Sequence, residues 1–425
     1  MYASMLMIGC LLLGQAETAV DEGLQIQVRR LVRQLDAPRL ADREEAEAKL
    51  IAAGPSILKL LPPDSARASA EAKQRLARVR NKLQMAAAKA ATNASQITLE
   101  AKGMPLSEIM AELRKQSGNE IVDLREDFGH PVTDPKLDVS LDKVPFLKAL
   151  DEVLDKAELT VYPFHQSAGV GVVGRSETQK PRLGKACYDG PFRFETTSIL
   201  AKRDLRDTAG EAMKVILEVA WEPRLQPISI MQRLSDLKVV DENGDPIQVD
   251  STSVKLEVVP VEDDSTASLS LPLVLPSRDV KRIGKLTGKI EPTIPGKKEL
   301  FTFDNLTEAK NVEKRLAGTK VTLEKVRRNN QIWEVRIRVG FDTPGGALES
   351  HRGWIFRNEA YLKDADGKRI PHDGMQTTRQ TEDEVGIAYM FVLEKPPEKH
   401  TFVYEAPGTI ATSQFEYTIE DIDLP

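Results

Sequence analysis

The densest cluster of polar and aromatic side chains lies near the C-terminus, in residues 344–359. His351, Arg352, Trp354 and Arg357 follow a glycine-rich stretch there. An aromatic ring beside cationic groups can hold a polar ligand such as a sugar. These four residues are therefore the candidates for a ligand-binding surface. The favoured interpretation is that Trp354 is a core residue of a strand and that the glycines form only a long turn.

A second group of ionisable side chains lies in one short loop, at residues 123–130. Asp123, Glu126, Asp127 and His130 offer oxygen and nitrogen atoms that can ligate a divalent cation. Calcium loops place oxygen ligands at alternating positions, and zinc sites usually show closely paired His or Cys. Neither pattern is present. We predict a solvated loop with no metal and no cofactor, and a hydrolase site here is the least favoured hypothesis.

A glycine-rich string, Gly169-Val-Gly171-Val-Val-Gly174, matches the dinucleotide-binding fingerprint. The fingerprint requires a helix after the last glycine, and the polar residues 175–181 follow instead. We predict a strand or turn at this point. The five histidines are dispersed, and no hydrolase or phosphate-binding motif is present. The sequence therefore predicts no catalytic residues and no enzyme.

A duplicated unit organises residues 97–162. Each copy contains an alternating strand, a proline, a run of apolar residues at helical spacing and a second strand. Pro105 and Pro145 stand where the helices begin, and their missing N–H costs nothing in the first turn. The pattern predicts two βαβ halves that form one small sheet, with both helices on one face. This module is predicted to cover residues 96–175.

Residues 96–165 resemble the short N-terminal (STN) domain of secretins and TonB-dependent receptors. The resemblance rests on the twice-repeated order of strand, polar turn, proline, spaced apolar residues and strand. It implies a periplasmic interaction module without catalytic residues. Nothing downstream resembles a pore or a barrel, so only the fold and the compartment are carried over.

The preceding residues 24–91 are predicted to form a helical head. Asp42 and Glu45 have the spacing of a capping box for its second helix. The arrangement resembles a single HEAT-like unit. A basic helix at 65–91 offers contact with an anionic surface, although a solvated helix face is favoured. No aromatic residues interleave its charges, so nucleic-acid binding is not predicted.

The C-terminal half is predicted to form two tandem antiparallel sandwiches, at residues 183–307 and 308–425. Val215–Trp221 corresponds to Trp333–Phe341, and hairpin signals occur at Asn243-Gly244 and Asp366-Gly367. Each copy ends on an alternating strand, at Leu300–Phe303 and Phe415–Ile419. In size the two units resemble immunoglobulin-like domains.

The N-terminus contains an apolar run, Met5–Leu13, that is too short to cross a bilayer, followed by a small-residue cleavage site near Ala16. A signal peptide at residues 1–19 is therefore predicted, with a periplasmic, cell-surface or secreted location.

Together these features predict a multidomain α+β protein that acts as a non-catalytic envelope adaptor. Its partners would be other envelope proteins, bound through the STN-like module at residues 96–165. The alternative is a carbohydrate-binding protein that contacts cell-wall glycan through the last sandwich. The sequence leaves the oligomeric state open.

Overall fold

The computed structural model describes residues 23–62, 69–163, 169–207, 211–250, 253–261, 263–342, 344–393 and 396–425. These ranges form a mixed α+β structure, with helices in the N-terminal part and antiparallel sheets in the C-terminal part, as predicted. The predicted signal peptide lies outside the described residues. Among the helices that are described, none is long and apolar enough to span a bilayer.

The head contains three α-helices and a short 3-10 helix around one apolar core. They are α1 (residues 23–34), α2 (Leu40–Ala52), the 3-10 helix Pro55–Leu60, and α3 (Ala70–Ala91). The predicted capping box is wrong, because α2 begins two residues before Asp42 and has no side-chain cap. Asp42 lies in the first turn instead, where its charge favours the helix dipole. Ser69 caps α3.

The small module contains both predicted copies of the strand–helix–strand unit. Its elements are β1 (Gln96–Pro105), α4 (Leu106–Ser117), β2 (Ile121–Asp123), β3 (Lys136–Pro145), α5 (Phe146–Lys156), β4 (Leu159–Tyr162) and β5 (Val170–Gly174). The glycine-rich string forms β5, which lies between β2 and β4. The prediction of a strand at that point is confirmed.

The prediction of one sheet is wrong, although both helices do pack against the sheet β1–β3. β1 pairs only with β3, and β2, β5 and β4 form a separate sheet. The reason lies in α5, where residues from Phe146 to Leu154 are buried on almost every side. A helix that is apolar nearly all round needs cover on more than one side. Accordingly α5 contacts β1 and β3 of one sheet and β4 of the other.

The first sandwich consists of two antiparallel sheets that share one core. One sheet contains β6 (Cys187–Asp189), β7 (Phe192–Lys202), β8 (Ala212–Trp221) and β12 (Thr266–Leu273). The other contains β9 (Ser229–Arg233), β10 (Lys238–Asp241), β11 (Lys255–Val258) and β13 (Arg282–Pro295). The predicted turn at Asn243-Gly244 follows β10, and Gly244 has a φ of 89°.

The second sandwich has the same plan around its own core. One sheet contains β14 (Lys298–Phe303), β18 (Ala360–Lys363), β19 (Arg369–Pro371) and β22 (Thr401–Pro407). The other contains β15 (Lys310–Leu316), β16 (Thr319–Asn329), β17 (Ile332–Phe341), β20 (Gly374–Gln380) and β21 (Glu384–Val392). The predicted turn at Asp366-Gly367 joins β18 to β19.

The closing strands of the two sandwiches are exchanged, which corrects the predicted boundary between 307 and 308. β14 pairs with β22 in the second sandwich. The last strands of the chain, β23 (Ile410–Thr412) and β24 (Phe415–Asp423), pair with β13 in the first. Both exchanged strands alternate apolar and polar residues, so each one fits either core. Phe303 fills the second core, and Tyr417 fills the first.

The exchange creates one continuous antiparallel ribbon, formed by residues 282–303 and 402–423. The register is constant from the pair Arg282–Asp423 to the pair Phe303–Phe402, because each step forward along one strand is matched by one step back along the other. The bonds continue between the strands, since Gly296 N–H donates to Thr409 O (2.7 Å) and Gly408 N–H to Lys297 O (2.9 Å). The ribbon therefore belongs to both sandwiches without a break in register.

Paired cysteines test the exchange directly. Lys285 lies opposite Glu420 on the ribbon, and both side chains are exposed. Asp304 comes directly after Phe303 in β14, just as Glu420 comes directly after Ile419 in β24. If β14 instead of β24 paired with β13, Asp304 would therefore lie opposite Lys285. We expect Lys285→Cys with Glu420→Cys to form a disulfide in a Cys187→Ser background, because Cα atoms about 5 Å apart permit the bond. Lys285→Cys with Asp304→Cys should stay reduced, and the reverse result in non-reducing gels would contradict the exchange.

Candidate functional site

Trp354, the centre of the predicted ligand-binding surface, is a buried residue. The segment between β17 and β18 forms two short 3-10 turns, Ser350–Arg352 and Trp354–Arg357. Trp354 is 7% exposed, packs against Phe341 and donates from Nε1 to Ala347 O at 2.6 Å. The ring therefore offers no open face for stacking on a sugar. Trp354 is a core residue, as favoured, but it lies in a 3-10 turn and not in a strand.

Arg352 and His351 form a polar contact between the two sandwiches. Both bind Glu257 of β11, with Arg352 Nε and Nη2 at 2.8 and 2.7 Å and His351 Nε2 at 3.1 Å from Oε1. Arg352 is 5% exposed, whereas His351 is exposed. Burial alone would raise the pKa of Glu257, but hydrogen bonds from His351 and Arg352 outweigh burial and hold that pKa below its usual value.

The same contact contains a group of possible metal donors. Within the described ranges, Glu257, Glu349 and His351 alone bring three His, Cys, Asp or Glu donor atoms within 4.8 Å of one another. The Arg352 guanidinium already neutralises Glu257, and Lys255 lies 3.4 Å from its other oxygen. A cation would therefore compete with two side-chain cations. The arrangement serves as an ion pair that holds the sandwiches together.

Arg357 and Trp354 line a cleft of about 450 Å³ between the sandwiches. The other wall contains Trp221 at the end of β8, and the floor contains Pro295 and Pro407 of the ribbon. His351 and Arg352 are not among the lining residues. The four predicted residues are thus divided between an ion pair and a cleft, and their binding of a ligand stays a prediction.

The loop at 123–130 does not bring its ionisable groups together. Asp123 forms a two-pronged ion pair with Arg125, at 2.9 Å to Nε and 2.6 Å to Nη2. The hydrogen bond from Arg125 lowers the pKa of Asp123. His130 Nδ1 accepts from Gly174 N–H at 3.0 Å. These contacts join the loop to the second sheet of the module, and they leave Glu126 and Asp127 exposed to solvent.

The two-stranded sheet β1–β3 is the most open surface of the small module. Its inner face, with Ile97, Ala101, Val139 and Leu141, packs on α4 and α5. Its outer face exposes polar side chains, namely Thr98, Glu100, Lys102, Lys136, Asp138, Ser140 and Asp142. No other described strand pairs with β1 or β3. Each strand therefore has an edge along which another strand can pair.

A buried carboxylate, Asp151 on α5, fixes the module to the first sandwich. Asp151 is fully buried and accepts from Arg193 Nη1 (3.1 Å), Arg182 Nη1 (3.3 Å) and the Tyr188 hydroxyl (2.7 Å). Arg193 also bonds Glu218 at 3.1 Å. Sequence reasoning did not identify Asp151, although a carboxylate on the apolar side of α5 was a visible signal.

A second buried carboxylate, Glu222, fixes the other end of the module. It is fully buried and accepts from Ser95 N–H (2.7 Å), Ser95 Oγ (2.6 Å), Asn119 Nδ2 (2.9 Å) and Arg224 Nε (2.7 Å). Arg224 N–H in turn donates to Asn119 Oδ1 at 3.0 Å. Nothing in the local sequence marks Glu222, because its partners on the module, Ser95 and Asn119, lie more than a hundred residues away.

Comparison of the sequence with protein-family models and with characterised proteins gives no match. The function is therefore inferred from the geometry of these surfaces.

The contact between Glu257 and Arg352 allows a stability test. Glu257→Gln leaves the buried Arg352 guanidinium without its carboxylate, and we expect a loss of about 3 kcal/mol in the free energy of unfolding at pH 7. Glu349→Gln is the matched control, because its carboxylate is 40% exposed and 3.7 Å from Arg352. The control should lose less than about 1 kcal/mol in urea unfolding.

The pH dependence of the same contact has a defined sign. The folded-state pKa of Glu257 lies below its ordinary value of 4.5, so the contribution of Glu257 is complete above that value and is lost as the pH falls. The difference between wild type and Glu257→Gln should therefore shrink below pH 4.5. A difference that stays constant down to acid unfolding would rule out the ionised contact.

Proposed function

We propose that this chain is an exported, non-catalytic adaptor that binds other proteins through an open strand edge of its small module. The observation that supports the proposal is the sheet β1–β3, which has one face packed on helices and the other exposed, with no further strand paired in the described chain. The resemblance of residues 96–165 to the STN domain, and the apolar segment before Ala16, favour an envelope location.

The outer edge of β3 has the geometry for strand addition. Lys156 Nζ donates to the Asp138 carbonyl at 2.9 Å, so the backbone groups of Asp138 point away from β1. Ser140 lies two residues further along, and its N–H therefore points to the same edge. On β1, the Gln116 amide already bonds both backbone groups of Thr98, at 3.0 Å each. The β3 edge is consequently the more accessible of the two.

The rigid attachment of the small module to the first sandwich also supports an adaptor function. Asp151 and Glu222 fix it at two points, and the ribbon joins the two sandwiches behind it. A rigidly presented edge loses little entropy when a partner strand pairs with it. The two sandwiches would then serve as a spacer.

Two other hypotheses receive less support. Carbohydrate binding through the last sandwich loses its stacking platform, because Trp354 is buried. Binding of an anionic surface by the basic helix is less favoured because two of its cations, Arg75 and Arg78, already bond Glu47 across the head. The hydrogen bond from Arg78, assisted by that from Arg75, lowers the pKa of Glu47.

Two substitutions at one position test the adaptor proposal. Ser140→Pro removes an outward N–H from the β3 edge without touching the β1–β3 ladder, and proline is tolerated on edge strands. Ser140→Ala is the matched control, because both variants lose the bond from Ser140 Oγ to Glu100 but only the proline lacks the N–H. In crosslinked pull-downs from envelope extract we expect Ser140→Ala to retain its partner and Ser140→Pro to lose at least about 90% of it, a change near 1.4 kcal/mol.

Thermal melts of both variants should agree within a few degrees, which shows that the module is intact. Equal capture by the two variants would show that the β3 edge is not the contact surface.

A further inference from the structure

The cleft between the sandwiches has the properties of a small-molecule site that is independent of the adaptor surface. Its volume of about 450 Å³ lies in the range typical of ligand pockets. Four prolines line it, namely Pro227, Pro260, Pro295 and Pro407. Because proline has no N–H and a fixed φ, these positions give rigid walls that cannot donate from the backbone.

A donor without an acceptor lies in the wall of the cleft. Trp221 is 1% exposed, and its Nε1 has no hydrogen-bond partner among the described residues. Leaving a buried N–H unpaired costs about 1–3 kcal/mol. Trp354, the other tryptophan of the cleft, donates to Ala347 O and has no such need. Nε1 is itself shielded from solvent, so Trp221 gives the cleft an aromatic wall and not a donor that a ligand can reach.

Side chains of both charges line the cleft, among them Arg224 and Arg357. Asp263 and Asp264 come from the loop after β11 in the first sandwich, and Lys298 begins β14 of the second sandwich. None of these three side chains forms an ion pair with another described residue at 4.0 Å or less. Asp263 has a φ of 65°, a left-handed conformation that aspartate adopts at small cost in turns.

We propose that the cleft binds a small zwitterion of dipeptide size. Its ammonium group would lie against Asp263 and Asp264, and its carboxylate against Lys298. A molecule with both charges fits the two walls at once, whereas an anion or a cation would meet a like charge on one side. A neutral sugar would leave all three charged groups without partners.

The tryptophans make binding measurable, because two of the three in the chain line the cleft. The probe is the dipeptide Ala-Ala, titrated into the full chain with intrinsic fluorescence as the signal. We expect a saturable change with a dissociation constant of about 1 mM or lower. Trp333→Phe should keep the signal, because Trp333 lies outside the cleft.

Blocked dipeptides and point variants identify the contacts. N-acetyl-Ala-Ala and Ala-Ala amide each lack one charge and should bind at least about tenfold more weakly. Asp264→Asn and Lys298→Gln change partly or fully exposed side chains and should weaken Ala-Ala by a similar factor.

Two outcomes would overturn the proposal. One is the absence of a saturable change with Ala-Ala at about 10 mM, well above the expected dissociation constant. The other is equal binding of Ala-Ala and its blocked forms, which would show that the charged walls do not select the ligand. Neither outcome bears on the β3 edge, which Ser140→Pro tests separately.

Discussion

The register of the ribbon at residues 282–303 and 402–423 is the constraint on which the rest of the structure depends. At ~3.3 Å per residue its strands extend roughly 70 Å, and every pair along them keeps the same register. A slip by one residue would turn Phe301, Phe303, Phe415 and Tyr417 from both cores to solvent at once. Close contacts fix the register further, because a Cβ on Gly288 would collide with the ring of Tyr417. Neither sandwich can therefore close its core without the strand that the other half of the chain supplies.

Two buried carboxylates join the small module to this frame. Asp151 and Glu222 are fully buried, yet each is surrounded by donors at hydrogen-bonding distance. Buried ion pairs add little net stability, but removing one partner is costly, so such contacts favour a single docking geometry over many similar ones. An apolar contact would permit sliding. The same reasoning applies between the two sandwiches. There the Glu257 carboxylate binds Arg352 and so favours one packing of residues 344–358.

Local patterns predicted much of the fold, and long-range pairing was the part they missed. Pro105 and Pro145 marked the starts of two helices, and Gly244 and Gly367 marked two turns, because each of these signals depends on a single residue's backbone. The exchange of β14 and β24 could not be predicted, since Leu300–Phe303 and Phe415–Ile419 have the same alternation and suit either sandwich. Trp354 shows the same limit at the candidate site. The general tendency of aromatic residues to pack favoured burial, but the Phe341 ring and the Ala347 carbonyl that bury it lie outside its own turn and could not be identified from the sequence.

The position of the cleft on the ribbon determines how it can work. Clefts between domains commonly close by hinge motion, because few contacts join the two sides. Here Pro295, Gly296 and Pro407 line the cleft near the middle of a hydrogen-bonded ribbon, and the ion pair of Glu257 with Arg352 adds a second connection between its walls. Both connections restrict a hinge motion of the two walls. A ligand must therefore fit a largely preformed space, so selection rests on the placement of Asp264 and Lys298 and not on a change of shape.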